Sequence, residues 1–246
     1  MGIITYGSTL TGSSGVNGDA FYISPEKQVF VLADGASGAG KSGKVLMSNT
    51  CTEIAHEYDY SSSSLTANEY IDTLFWKINN RLIKISQDSR ELAYGTIVIA
   101  VIDNGMLTVT TFGDSPAYLM SGNDIRRVAK SKKRYENMID KGFITREEYE
   151  GYIHQMHEMM WCCFDRFLPE VVPNNVIEQY QLKQGDLFLM CCDGMSDWIS
   201  PEDMFKTIKN GGVKNGVEEL ISLSKQISIA DHKSFDDITA IAVLYT

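Results

Sequence analysis

The sequence predicts an α+β fold, in which two antiparallel β-sheets form a central sandwich with helices on both outer faces, in αββα layers. Three observations favour this fold. Several short runs rich in β-branched residues have the length of buried strands. Two of these runs are joined by a connection short enough for a hairpin. Two long amphipathic stretches separate the first group of runs from the next, as expected for helices that cover a sheet.

The predicted strands are short and mostly apolar. They are Gln28–Ala33, Thr96–Ile102, Met106–Phe112, Asp186–Cys192 and Ile238–Leu244. The second and third are separated by Asp103–Gly105, and the Asn-Gly pair in this connection favours the positive φ values of a tight turn. Strands joined by so short a connection must be antiparallel, so the chain is expected to contain an antiparallel sheet.

Four stretches are predicted to be helical. They are about Ser42–Tyr58, about Thr66–Ile85, a helix with Ser200 as N-cap, and about Val217–Ala230. Ile71, Leu74 and Ile78 illustrate the helical spacing of apolar residues in the second stretch. Ser200 is followed by Pro201 and two acidic residues, which suit the first turn of a helix.

No linker divides the chain, so we expect residues 1–246 to form a single domain with an insert at about 130–175. The insert is polar, rich in Tyr, Met and His, and carries two short helical patterns, Arg134–Lys141 and Arg146–Met160. A long excursion between core strands is commonly functional.

Composition excludes several classes of function. The net charge of −10 over 246 residues argues against a nucleic-acid-binding protein. No apolar stretch approaches the roughly 20 residues that span a bilayer, and the N-terminus lacks a signal-peptide pattern. Five cysteines in this spacing fit neither a disulfide framework nor a zinc site. We therefore expect a cytoplasmic monomer that binds neither nucleic acid nor membranes.

Aspartates recur where predicted strands begin or end, usually beside Gly or another turn residue. They are Asp19, Asp34, Asp114, Asp193 and Asp236. Carboxylates at strand ends of a sandwich converge at one edge, and they cannot all ionise there without a cation. Mg²⁺ and Mn²⁺ prefer such oxygen ligands. One Asp-Gly pair is usually only a turn, but a series of them at strand ends predicts a metal site.

Five motifs occur in order from about Val16 to the C-terminus: VFVLADGASG, GTIVIAVI, TFGDSPAYL, GDLFLMCCDGMSD and SFDDITAIAVL. They resemble the Asp-Gly, Gly-Thr, Gly-Asp-Ser, Asp-Gly-hydrophobic-x-Asp and Asp-Asn-hydrophobic-Thr blocks of the PPM (type 2C) metal-dependent protein serine/threonine phosphatases, in particular the bacterial ones. The resemblance implies that Asp34 bridges two divalent cations, Mn²⁺ or Mg²⁺, with the Gly35 carbonyl as a further ligand. It also implies that Asp193 and Asp236 complete the first metal site, and that Asp19 acts through bound water.

In the same way, the resemblance implies that Asp114 and Asp193 hold a third, weaker metal. The catalytic residues that the resemblance implies are Asp19, Asp34, Asp193 and Asp236. They would support the direct attack of a metal-bridging water on phosphoserine or phosphothreonine of a protein substrate. No cysteine nucleophile is needed for this chemistry. The insert at 130–175 corresponds to the flap beside the active site in this family.

The chain departs from the family pattern where the phosphate is bound. Ser14 stands at the position of an Arg that grips the phosphate, Ala36 replaces a His of eukaryotic members, and Pro116 replaces an Arg. Lys41 or Lys44 is a hypothetical substitute for the missing phosphate-binding Arg.

Two alternatives stay open at the level of the sequence. Residues 35–42, GASGAGKS, fit the P-loop pattern after an apolar strand, which would make the chain a nucleotide-binding NTPase. The antiparallel hairpin and the other Asp motifs argue against it. The missing Arg raises a second alternative, a catalytically impaired pseudophosphatase that serves as a binding module.

Overall fold

The computed structural model describes residues 2–26, 28–58, 60–61, 63–89, 93–129, 145, 147 and 176–246. Within these ranges the strands are β1 (Ile3–Leu10), β2 (Asp19–Ile23), β3 (Val29–Gly35), β4 (Gly95–Asp103), β5 (Met106–Phe112), β6 (Ala117–Ser121), β7 (Asp124–Val128), β8 (Ile177–Gln181), β9 (Leu187–Cys191) and β10 (Ile238–Tyr245). The helices are α1 (Gly40–Glu57), α2 (Ala67–Ser89), α3 (Asp193–Ser196) and α4 (Pro201–His232), and a 3₁₀ turn at Ser37–Ala39 precedes α1.

The strands form two five-stranded sheets, in the orders β1-β10-β9-β6-β7 and β2-β3-β4-β5-β8. The recorded strand pairs are antiparallel. The predicted hairpin is confirmed, since Asp103 pairs with Met106 and both Asn104 and Gly105 have positive φ, 49° and 77°. The predicted sandwich of antiparallel sheets is therefore confirmed.

Three apolar clusters hold the layers together. Helices α1 and α2 cover one sheet, with Met47 and Leu74 against Ile97. Phe30 and Phe188 belong to the cluster between the two sheets. The third cluster lies between the other sheet and α4. Because side chains alternate along a strand, Phe188, Met190 and Cys192 belong to the inter-sheet cluster, whereas Leu187, Leu189 and Cys191 belong to the cluster with α4.

Most predicted elements lie within a few residues of the observed ones, but β1, β6, β7 and β8 were not predicted. Strand β1 is an edge strand with a partly exposed, Gly- and Thr-containing sequence that carries a weak apolar pattern. The two predicted C-terminal helices correspond to α4, whose course is interrupted at Gly212, with φ 75° and ψ 168°. The predicted cap is confirmed, since the Ser200 side chain accepts a hydrogen bond from the Asp203 amide. Both helical patterns predicted within residues 130–175 lie outside the described residues, except for Glu147.

The P-loop interpretation of residues 35–42 is wrong. This segment follows β3, which pairs antiparallel with both β2 and β4. A P-loop belongs to a parallel sheet with crossover helices, so the match to its pattern is fortuitous. None of the described helices is both long and apolar enough to cross a membrane.

Candidate metal centre

Two predicted aspartates lie side by side at one end of a sheet. Asp19 begins β2 and Asp34 lies near the end of β3, and the antiparallel register pairs them directly. Both are buried, with 7% and 8% of their surface exposed. Their carboxylate oxygens and the Cys192 sulfur lie within 4.8 Å of one another. The fold thus places two carboxylates and a thiol at one point between the sheets.

The second sheet contributes two more aspartates. Asp193 follows β9 and Asp236 precedes β10, and because these neighbouring strands are antiparallel, both residues lie at the same edge. They line one cavity of about 540 Å³. Asp114 lies in the connection between β5 and β6, and its Oδ1 is buried with no hydrogen-bond partner among the described residues.

The pKa values of Asp19, Asp34, Asp114 and Asp193 are raised. The pKa of Asp34 lies well above its usual range because of burial first, and then because of the nearby charges of Asp19, Asp193, Asp114 and Asp236. Burial is also the main cause that raises the pKa of Asp19 to about 7, of Asp114 to about 7 and of Asp193 to about 6. Asp19, Asp34, Asp114 and Asp193 are therefore poorly solvated carboxyls, and nearby aspartates add to the effect of burial on each of them.

A chain of hydrogen bonds orients Asp19. The Thr239 hydroxyl donates to Asp19 Oδ2 over 2.7 Å. The Thr239 hydroxyl oxygen lies 2.7 Å from the Thr9 hydroxyl oxygen. Because the Thr239 proton is used for Asp19, the Thr9 hydroxyl donates to Thr239. Thr9 in turn accepts a hydrogen bond from the Asn17 side-chain amide over 2.9 Å. The Asn17 side-chain oxygen accepts from the Asp19 amide over 2.9 Å, which closes the chain. The Asp19 carboxylate is therefore held in one orientation.

Glycine is required where the backbone approaches the centre. A Cβ atom on Gly35 would lie 2.1 Å from the Lys44 carbonyl oxygen, and one on Gly194 would lie 2.1 Å from that of Asp237. The Gly35 amide donates to the Gly18 carbonyl over 2.9 Å, which ties β3 to the loop before Asp19. Close backbone contacts therefore explain why glycine follows the aspartate in both Asp-Gly pairs, Asp34-Gly35 and Asp193-Gly194.

The structure corrects the expectation that Lys44 is available to a substrate phosphate. The Lys44 ammonium lies 2.7 Å from Asp237 Oδ2, and the two side chains are only 5% and 4% exposed. The same ammonium donates to the Ser14 hydroxyl over 3.3 Å. Ser14 lines the cavity, whereas Lys44 does not. Lys41 is exposed at the start of α1 and is also not one of the cavity-lining residues.

Sequence reasoning missed Asp237 and Cys192 as parts of the centre. In the sequence, Asp237 stands out only as the neighbour of Asp236. Its pairing with Lys44 could not be predicted, because the two residues lie 193 positions apart. Cys192 is the last residue of a predicted apolar strand and is fully buried. Its sulfur nevertheless lies beside the carboxylates of Asp19 and Asp34. Its position directly before Asp193, on the inter-sheet face of β9, was the available signal.

The residues fit hard divalent cations. The available ligand atoms are carboxylate oxygens, which Mg²⁺ and Mn²⁺ prefer. The carboxyls of Asp19 and Asp34 are buried and close to other carboxyls, and their pKa values are raised. Asp114 Oδ1, which has no hydrogen-bond partner among the described residues, is a further unsatisfied acceptor that a cation could bind. The Lys44 ammonium cannot offset this charge, because it is paired with Asp237.

Comparison with known proteins identifies relatives among bacterial phosphatases, although no family model matches the chain. The serine/threonine protein phosphatase PstP of Mycobacterium tuberculosis is 25% identical over 200 residues, which cover 80% of this chain and 37% of PstP. The chain thus spans well under half the length of that relative. The serine/threonine phosphatase stp of Listeria welshimeri is 20% identical over 200 residues, 79% of this chain and 77% of stp.

Solved structures agree in fold. The catalytic domain of PstP, in complex with two manganese ions, superposes with a TM-score of 0.77 at 20% identity, over 98% of this chain and 97% of that domain. The serine/threonine phosphatase of S. agalactiae gives 0.78 at 16% identity, over 99% and 100% of the two chains. The PPM Ser-Thr phosphatase MsPP of Mycobacterium smegmatis gives 0.70 at 15% identity, over 99% and 98%. The chain is thus similar in sequence to bacterial serine/threonine phosphatases, and it has the fold of the catalytic domains of such enzymes.

Proposed function

We propose that this chain hydrolyses phosphoserine and phosphothreonine in proteins, in a reaction that requires divalent cations, with Mn²⁺ as the preferred ion. The observation that carries the proposal is the convergence of Asp19, Asp114, Asp193 and Asp236, from both sheets, around the buried carboxyl of Asp34. The homology supports the reaction class. The manganese ions in the PstP catalytic domain support the choice of metal.

The proposed roles follow from the position of each carboxylate. Asp34, whose pKa is raised by all four of the other aspartates, is the central ligand shared by two cations, with the Gly35 carbonyl beside it. Asp193 and Asp236 face the cavity and complete the first metal site. When bound, the cations supply a water of lowered pKa and positive charge that offsets the charge of the phosphoryl oxygens.

Two other aspartates have subsidiary roles in the proposal. Asp19, held by Thr239, orients the bound water of the centre. Asp114, with its partnerless Oδ1, and Asp193 together hold a third, weaker cation. Among the described residues the cavity lining contains no Lys or Arg side chain, so in this proposal the bound cations supply the positive charge that faces the phosphate.

The cavity next to the centre is the proposed place for the phosphorylated side chain. Asp193, Asp236, Ser14 and Trp198 are among its lining residues, so it opens directly from the metal ligands. The Ser14 hydroxyl donates to the Val16 carbonyl over 2.9 Å, so its proton is already committed within its own loop. Lys41 therefore remains the hypothetical phosphate-binding cation, and mutation of Lys41 to Ala with unchanged substrate affinity would refute it.

The decisive experiment measures hydrolysis of p-nitrophenyl phosphate and of a phosphothreonine peptide with and without Mn²⁺. We expect Mn²⁺-dependent turnover that Asp193→Ala lowers about a thousandfold, as loss of several kcal/mol of charge stabilisation predicts. Asp72→Ala, an exposed aspartate of α2, is the matched control and should retain activity. Folded, Mn²⁺-loaded wild-type protein without turnover would instead favour the binding-module alternative.

The remaining expectations stay predictions from the sequence. They are a single domain over residues 1–246 with a flap at 130–175, a monomeric state, a cytoplasmic location, and no binding to nucleic acid or membranes.

A further inference from the structure

We propose that the buried Lys44–Asp237 ion pair positions the metal-binding residues, so that its loss weakens metal binding in a chain that still folds. Neither residue touches the cavity, so both are positioning residues. This inference rests on the proposed metal centre and assigns a role to two residues that the proposed reaction leaves unused.

Asp237 joins both ends of the loop that precedes Asp19. Its Oδ1 accepts a hydrogen bond from the Gly12 amide over 2.7 Å, and its Oδ2 accepts one from the Gly18 amide over 2.7 Å. Gly18 is the residue directly before Asp19, and Asp236 is directly before Asp237. One carboxylate thereby sets the distance between two proposed metal ligands that are more than 200 positions apart in the sequence.

Lys44 holds the same region from the side of α1. Its stem packs so closely on the loop that a Cβ atom on Gly18 would lie 2.6 Å from Lys44 Cδ. Its carbonyl oxygen lies so close to Gly35 that a Cβ atom there would be 2.1 Å away. Its ammonium reaches both Asp237, over 2.7 Å, and Ser14, over 3.3 Å. The side chain therefore links α1 to the loop before Asp19 and to the start of β10.

The segment that carries Asp193 is joined to the ion pair through the backbone of Asp237. A Cβ atom on Gly194 would lie 2.1 Å from the Asp237 carbonyl oxygen, and the Cys192 thiol donates to the same oxygen over 3.4 Å. Asp193 is the residue between them. The pair thus meets every segment that carries Asp19, Asp34, Asp193 or Asp236.

The charges of the pair matter as well as its contacts. The Lys44 ammonium lies 2.7 Å from Asp237 Oδ2 in a buried position and offsets the charge of that carboxylate. Without Lys44, Asp237 would be a buried carboxylate with no cationic partner, and it would take up a proton or move towards solvent. Either change weakens its hydrogen bonds to the Gly12 and Gly18 amides, which hold the loop before Asp19 against the start of β10.

The test is the Mn²⁺ dissociation constant, measured by isothermal titration calorimetry on wild type and three variants whose folding is checked by circular dichroism. We expect Lys44→Met to weaken Mn²⁺ binding at least tenfold. The double variant Lys44→Met/Asp237→Asn should weaken binding about three- to tenfold, since it removes the unpaired charge but not all of the lost contacts. Lys206→Met, an exposed lysine of α4, changes the net charge equally and should leave binding unchanged.

The outcomes separate the two proposals. Wild-type protein that does not bind Mn²⁺ would refute the metal centre itself. The positioning role would be overturned if the wild-type protein binds Mn²⁺ and the dissociation constant of Lys44→Met lies within twofold of the wild-type value. This holds even if the melting temperature of the variant falls, because a purely structural ion pair changes stability without changing the Mn²⁺ affinity of the folded chain. If Lys44→Met does not fold, the double variant decides, and wild-type affinity in that variant overturns the role.

Discussion

Asp34 and Asp237 are equally buried aspartates of the same centre, with opposite surroundings. Asp237 is surrounded by donors, namely the Lys44 ammonium and two backbone amides. Asp34 is surrounded by other carboxylates, which raise its pKa. Both carboxylates lose hydration when they are buried. Only for Asp237 do hydrogen bonds and an ion pair within the chain replace the lost contacts with water. The comparison suggests different roles for the two carboxylates: Asp237, compensated within the chain, is expected to serve structure, whereas Asp34, left uncompensated, is the proposed ligand of an external cation.

The comparison predicts opposite effects of the same substitution on the metal-free protein. In EDTA at pH 8, Asp237→Asn should lower the free energy of unfolding by about 3 kcal/mol, because it leaves the Lys44 ammonium buried without its partner. For a chain of this size that is a fall in melting temperature of roughly 6–12 °C. Asp34→Asn should instead raise the melting temperature, since it removes a carboxyl from crowded, desolvated surroundings. Thermal unfolding followed by circular dichroism measures both.

Asp72→Asn is the control for both variants and should leave the melting temperature unchanged, because this side chain is exposed. If Asp34→Asn destabilised the metal-free chain as much as Asp237→Asn does, the distinction between the two surroundings would be wrong.

A second prediction concerns pH. The pKa values of Asp19, Asp114 and Asp193 are raised to about 7, 7 and 6 in the folded chain, above about 3.9 in an unfolded one. The folded state therefore binds more protons than the unfolded state between about pH 4 and pH 7, and stability must fall as the pH rises through this window. We expect the melting temperature in EDTA to drop by on the order of 5 °C from pH 5 to pH 8.

Saturating Mn²⁺ should reverse this trend, because protons compete with the cation for the same oxygens. Melting curves at pH 5, 6, 7 and 8, with EDTA or with Mn²⁺, provide the measurement. A metal-free melting temperature that rises with pH would show that the carboxyls are not desolvated as described.

The smallest predicted effect concerns the hydroxyl that orients Asp19. Thr239→Val keeps the shape of the side chain but removes the donor to Asp19, so the loss of one buried hydrogen bond should cost about 1 kcal/mol of stability. Mn²⁺ affinity should fall about tenfold, as for other groups that orient a metal ligand. Thr5→Val is the matched control, since Thr5 donates to the Ala242 carbonyl over 3.0 Å and does not contact Asp19. Equal Mn²⁺ affinity in both variants would contradict the orienting role.

The fold was predictable where strands are apolar and continuous. The run Met106–Phe112 has the predicted bounds, and the Asn104-Gly105 turn reveals the antiparallel pairing before any tertiary contact is considered. Strands β1 and β7 were not predicted because they lie at the edges of one sheet, where partly exposed side chains carry a weaker pattern.

The centre was predictable only in part. Asp19, Asp34, Asp193 and Asp236 stand out because each lies at the end of a strand, and antiparallel neighbours bring such ends to one edge. Nothing in the sequence distinguishes Asp237 from Asp236, although one is buried and the other exposed. Lys44 was read as a free cation because its partner is 193 positions away.

The sequence by itself determined the order of the apolar core strands and the long helices, the antiparallel hairpin and the candidate aspartates at the strand ends, because local periodicity and turn chemistry act over a few residues. Only the tertiary structure decided which charges are compensated from within the chain. Compensation depends on contacts between distant segments, such as that of Lys44 on α1 with Asp237 before β10, and on the burial that these segments create together.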